Sequence, residues 1–234
     1  MKYAELARGY GAIVLIGVLG LGTGGCAVAA DDRSLGSEGE SADQAIELEA
    51  GLPAGYPAPG PAGEVVVKRY PAYRAARAEG RGAFRKLFGH IREHDIAMTA
   101  PVEMTLKGIG TTPENERGPV EAGQKSSTRR VDMYFMYPRP DQGEVGVDGT
   151  VEVLDFPETR VLSLGFFGAA KQNRVDAALD HVRAALAQRP DLVAAGPARL
   201  LGYHSPFVTA SRRYHEVQIP VKDRPTEGEQ ASNN

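Results

Sequence analysis

The 234 residues contain no tryptophan and a single cysteine, Cys26. One cysteine excludes an intrachain disulfide. Its place near the N-terminus also removes a thiol nucleophile and a cysteine-based zinc site from any fold further along. An excess of one charge is missing too. Lys and Arg number 27 against 30 Asp and Glu, a formal net charge of −3. No global field draws such a chain to nucleic acid or to acidic lipid. Long apolar runs are lacking: residues 11–21 are uncharged but fall short of the ~20 residues of a membrane-spanning helix. There is no Gly-x-Ser-x-Gly elbow, no phosphate-binding P-loop and no Gly-x-Gly-x-x-Gly opening a helix. These are the usual local signatures of several large enzyme classes, and the chain reads as a non-enzyme.

What is present begins with an export signal. Lys2 and Arg8 precede the apolar run, as in a secretory signal peptide. Cys26 follows in Thr23-Gly24-Gly25-Cys26. This resembles the lipobox of bacterial lipoproteins, with Thr23 where that pattern prefers leucine. The resemblance implies lipidation of Cys26, a membrane anchor and a location facing the periplasm or cell exterior. Ordinary cleavage after Ala27-Val28-Ala29, giving a secreted chain, is the other reading. Residues 1–26 are thus assigned to a signal and 27–63 to a disordered linker. Asp31, Asp32, Glu38, Glu40, Asp43, Glu47 and Glu49 face almost no basic residue there, and Pro53, Pro57, Pro59 and Pro61 stiffen its end. Residues 107–130 form a second polar stretch, expected as a long loop between strands. Residues 222–234 are expected to be a disordered tail.

Between linker and tail, residues 64–221 contain a repeat. Val65, Val67, Tyr70, Pro71 and Arg74 recur as Val151, Val153, Phe156, Pro157 and Arg160. The alternation predicts a strand, and the proline bends or ends it. An extended run follows in each copy, then a helix. Phe84, Leu87, Phe88 and Ile91 fall at i, i+3, i+4, i+7 on one helical face. Val175, Leu179, Val182 and Leu186 make the second stripe, with Asn173 as N-cap and Pro190 beyond the end. Two further strands close each copy. The expected fold is α+β: a duplicated strand-helix-strand-strand unit forming a distorted antiparallel barrel with two helices packed on it.

Two stretches are more specific. Phe84-Arg85-Lys86-Leu87-Phe88-Gly89-His90-Ile91 is followed by Met98-Thr99-Ala100-Pro101-Val102. Tyr203-His204-Ser205-Pro206-Phe207 is followed by Arg212-Arg213-Tyr214-His215-Glu216-Val217. Both resemble the SOUL haem-binding family, across essentially the whole of residues 64–221. The resemblance implies non-enzymatic, reversible binding of haem or another porphyrin. A haem needs an apolar slot and cations for its propionates. Phe84 and Phe88 are candidate walls, and Arg81, Tyr203 and Arg212 candidate polar contacts. Some family members carry a histidine before the first-strand tyrosine; here Arg69 precedes Tyr70, so that ligand is absent. His90, the nearest histidine to the pocket helix, is the candidate for iron. The alternative is an exported binding module for another apolar ligand or a protein partner. A remote alternative is a zinc metalloprotease, because His90-Ile91-Arg92-Glu93-His94 matches His-x-x-Glu-His. The strand expected from Ile96 leaves no following helix to bring a third ligand.

Overall fold

Pro71 and Pro157 sit at the same bend of the same unit. In the computed structural model, strand β1 (Val65–Tyr70) ends before Pro71 and β2 (Tyr73–Glu79) begins after it. Likewise β6 (Val151–Phe156) ends before Pro157 and β7 (Thr159–Phe167) follows. The structure describes residues 46–107 and 129–225, the first three of the second stretch as backbone only. The signal, Cys26, the linker up to residue 45, most of the polar loop and the end of the tail lie outside the described residues.

Helix α1 (Ala83–Glu93) follows β2, after Gly82 in the left-handed region at φ 79°. Leu87 and Ile91 of its stripe are buried, while Phe84 and Phe88 are not. Strands β3 (Val102–Lys107) and β4 (Arg129–Met136) close the first unit. After β5 (Gly146–Asp148) and the β6–β7 pair comes α2 (Gln172–Ala187). It starts one residue before the expected cap, Asn173. Lys171 occupies the cap position, and its carbonyl accepts from the amides of Arg174 and Val175 without side-chain help. Strands β8 (Leu192–Ala194), β9 (Arg199–Gly202) and β10 (Tyr214–Asp223) are the last among the described residues. The last strand runs two residues into the expected tail.

The pairings reveal how the two units are joined. β1 pairs with β7 of the other unit, and its counterpart β6 pairs with β2. Tyr70 faces Thr159 just as Phe156 faces Tyr73. The order β1-β7-β10-β9-β3-β4-β2-β6 therefore exchanges the halves about its centre, where Met104 of β3 lies opposite Leu200 of β9. β5 extends one edge beside β6, and β8 pairs with β10 off the main path. Among the described residues no pair joins β1 to β5, so the sheet is open. This corrects the expected barrel; the α+β class, the mostly antiparallel pairing and the two helices stand.

Both helices lie on one face of the sheet. α2 buries Val175, Ala178, Leu179 and Val182 against Leu162, Leu164, Val217 and Ile219. α1 buries Ala83, Leu87 and Ile91 against Ala76, Ala78 and Phe135. Truncating one such leucine to alanine costs about 2–5 kcal/mol, so each helix is held mainly by these few side chains.

The opposite face is buried and polar. Glu216 on β10 is fully enclosed. Its carboxylate accepts from the Gly60 amide, Lys68 Nζ, Ser163 Oγ, Tyr203 Oη and Gln218 Nε2. Arg199 bonds Glu103 at 2.9 Å, Tyr73 Oη and Gln218, and lies 5.0 Å over the Tyr70 ring. Burial pushes the Glu103 carboxyl above its ordinary value despite Arg199, and pushes Lys68 below its own despite Glu216. Buried pairs of this kind add little net stability over apolar residues of like volume, but losing one partner is costly.

Residues 46–63, expected as part of the linker, instead pack on the domain. Leu48 and Leu52 are half-buried, and Tyr56 is buried edge-on between Tyr70 and Tyr73. Backbone bonds tie Ala54 to Pro138 and Gly63 to Gly165. Where this strap crosses β7, a Cβ at Gly165 would stand 1.7 Å from Tyr214 Oη and 2.8 Å from the Pro61 carbonyl. Only glycine permits that crossing.

Candidate functional site

Phe84 and Phe88 are apolar and one helical turn apart, yet 46% and 41% exposed. Their rings stack at 6.0 Å with an interplanar angle of 11°, and Phe84 meets Phe135 edge-on at 5.1 Å. Leu87 and Ile91 satisfy the core, so these two phenylalanines remain free to wall a space. That space is a cavity of about 430 Å³ between α1 and the centre of the sheet. Met98, Val102 and Met104 from the first half and Gly202 and His215 from the second complete its walls. Glu49 and Ala50 of the strap form one side, and residues 203–206 form the rim.

Local structure fixes each wall. Thr99 Oγ1 donates to the Met136 carbonyl at 2.6 Å, and the Ala100 amide donates to the Gly51 carbonyl at 3.0 Å. These bonds anchor the 98–101 segment between β4 and the strap, and the Ala100–Pro101 peptide is cis. Gly202 faces Val102 across the sheet. Lacking a side chain, it keeps the floor low; a Cβ there would reach only ordinary contact with His215 at 3.7 Å. His215 is buried and stacks on Phe166 at 5.4 Å. The rim is shaped by Arg213, whose guanidinium donates to the carbonyls of Val208 and Pro206. Glu49 accepts from the Ser205 amide and hydroxyl, and these two bonds hold its carboxyl below the usual carboxylate range.

The structure brings Phe84, Phe88 and Tyr203 to this cavity. Tyr203 is nearly fully buried and turns its hydroxyl to Glu216 at 3.1 Å. Burial pushes that hydroxyl's pKa well up. It serves the polar core at least as much as the wall. Arg81 is exposed and does not line the cavity. Arg212 lines an adjoining, more polar pocket of about 340 Å³ with Phe167, Phe207 and residues 46–49, which shares Glu49 and His204 with the cavity. Among the described residues, no Lys or Arg lines the apolar cavity.

The candidate iron ligand His90 is also placed elsewhere. It faces the other side of α1, with Nδ1 2.8 Å from Asp148 Oδ2 and Nε2 2.7 Å from Tyr137 Oη. Both ring nitrogens are engaged away from the Phe84–Phe88 cavity, so the expected role does not fit. His204, at the rim, is engaged through Nε2 with the Glu47 carbonyl and through Nδ1 with the Tyr214 amide. His215 is the histidine in the cavity wall. Sequence periodicity alone could have flagged it: on β10 it shares the parity of Val217 and Ile219, which face the helices.

A family model described as SOUL heme-binding protein matches residues 61–220. No curated protein matches the chain. Among solved structures, EcmrR in a DNA complex aligns at 11% identity and a TM-score of 0.47. That alignment covers 69% of this chain and 58% of the EcmrR chain. An uncharacterised conserved protein from Listeria innocua aligns at 11% identity and a TM-score of 0.48, covering 69% of this chain and 94% of that one. A protein titled a hydrolase, also from Listeria innocua, aligns at 10% and 0.47, covering 70% and 94%. Likenesses this distant carry no argument about function.

Proposed function

Because this chain belongs to the SOUL heme-binding protein family, we propose that the cavity beneath α1 takes up haem or a related tetrapyrrole, with no bond made or broken. One observation carries the reading: two stacked phenylalanines stand half exposed over an apolar space with a histidine in its wall. The volume of about 430 Å³ falls within the ~300–1,000 Å³ of small-molecule sites. A flat macrocycle would lie against Phe84 and Phe88, with Met98 and Met104 as soft contacts on its edge. His215, in the cavity wall, would be the side chain to approach the iron. Because no Lys or Arg lines the cavity among the described residues, the propionates would be left to water rather than to ion pairs.

That missing cation also favours a second reading, a neutral apolar ligand held without iron. Haemin titration of the purified protein separates the two. A saturable Soret band at one equivalent is expected. Phe88→Ala should weaken binding about tenfold, the ~1.4 kcal/mol of one lost aromatic contact. Gly202→Leu, which fills the floor, should abolish it. His215→Ala should shift the Soret maximum. A flat titration with the native protein would sink the haem reading and leave the apolar one.

A further inference from the structure

A second cavity, of about 330 Å³, lies against the last turn of α1 on the side facing the β5–β6 hairpin. It shares no lining residue with the Phe84–Phe88 cavity. His90, His94, Tyr137 and Asp148 are in its wall. The geometry points to a binding site for a divalent transition-metal ion of the zinc class, held by His90 Nδ1, His94 Nε2 and Asp148 Oδ2.

His90 and His94 are four residues apart, so the helix turn sets them side by side, with ring centroids 4.5 Å apart. Asp148, at the end of β5, brings its Oδ2 to 2.8 Å from His90 Nδ1 and 2.8 Å from His94 Nε2. The three donor atoms lie within 4.8 Å of one another. Without a metal, His90 Nδ1–H donates to the Asp148 carboxylate; when an ion takes Nδ1, Tyr137 Oη stands 2.7 Å from Nε2 and can accept its hydrogen. Metal-bound histidines are typically oriented in this way through their other nitrogen. The His90 side chain is 5% exposed and so held in place by packing as well.

Donor chemistry selects the ion. Two imidazole nitrogens and one carboxylate suit zinc and its neighbours in the transition series. Calcium and magnesium prefer oxygen throughout. Bonds of about 2.0–2.1 Å in a tetrahedral array put donors roughly 3.3 Å apart. The two N···O contacts would open by about 0.5 Å to reach that spacing, and the two imidazole nitrogens lie within 4.8 Å of each other. β5 is a three-residue edge strand with every residue exposed, so the hairpin has room for the shift. The fourth position would open to the cavity. Glu93, the acid of the His-x-x-Glu-His spacing, is exposed and outside the donor cluster. The site thus has ligands without a placed base. Its effect would be to clamp the hairpin to α1, the helix whose other side walls the apolar cavity.

The test uses tag-free, metal-stripped protein titrated with Co²⁺, followed by the visible bands of tetrahedral cobalt, and with Zn²⁺ by calorimetry. One equivalent of each is expected to bind. His94→Ala and Asp148→Asn, both at exposed positions, should each weaken binding at least tenfold, and Glu93→Gln should leave it unchanged. Absence of saturable one-to-one binding in the native protein would overturn the assignment. So would equal affinity in the His94 and Asp148 variants. Haemin binding by the same preparations is read separately, so a failed haem titration does not decide the metal site.

Discussion

Replacing Glu216 with glutamine would leave the Lys68 ammonium, 6% exposed at its side chain, without its counter-charge. An uncompensated buried charge costs about 3–5 kcal/mol. Glu216→Gln is therefore expected to lower the urea midpoint sharply, with little change in slope. A variant as stable as the native protein would show that Lys68 finds another partner. The same residue explains the Arg-Arg-x-x-Glu-Val pattern. Its glutamate binds β1, β7, β10 and the strap together, and Arg213 shapes the rim. Neither Glu216 nor Arg213 lines the cavity. A family signature in this chain marks the frame around a ligand more than the contacts with it.

The strap supplies the prediction at the scale of elements. Glu49 holds Ser205 with two bonds that lower its carboxyl below the ordinary value of 4.5. A carboxylate with a depressed folded pKa contributes fully above its unfolded pKa and loses that contribution as pH falls through the folded value. Amide exchange should show this directly. The protection factor of the Ser205 amide is expected to fall between about pH 5 and about pH 3. In Glu49→Ala it should be low and flat across that range. A pH-independent factor in the native protein would separate the strap from the rim. Composition hid this element. Acidic and Pro-rich residues read as tether, while its attachment rests on Leu52, Tyr56 and backbone bonds that no local pattern announces. α1 was more legible, because its stripe follows from spacing alone. Which of its four members face core and which face a cavity was not. That division depends on β3 and β9 meeting beneath the helix, a pairing remote in sequence. The same limit concealed Asp148 as partner to the legible His90–His94 pair, and it let Arg81 and Arg212 pass for cavity residues.

At the scale of the whole molecule, the repeat of Val65-x-Val67 and Val151-x-Val153 foretold duplication but not exchange. Each unit lends its first strand to the other, β1 to β7 and β6 to β2. A fragment of residues 46–140 would lack both β6 and β7. It is expected to show no dispersed amide spectrum alone, and to regain one when mixed with residues 141–225. A fragment that folds unaided would mean that the exchanged strands are dispensable.

The position of β10 carries a temporal consequence. The last strand among the described residues sits inside the sheet, between β7 and β9, and also bonds β8. Until residues beyond 214 leave the ribosome, β7 and β9 face each other across an empty lane. Pairings so distant in sequence close late and slowly. The complete sheet therefore cannot close before β10 is available, and until then the facing edges of β7 and β9 stay open to chaperones and to other copies of the chain.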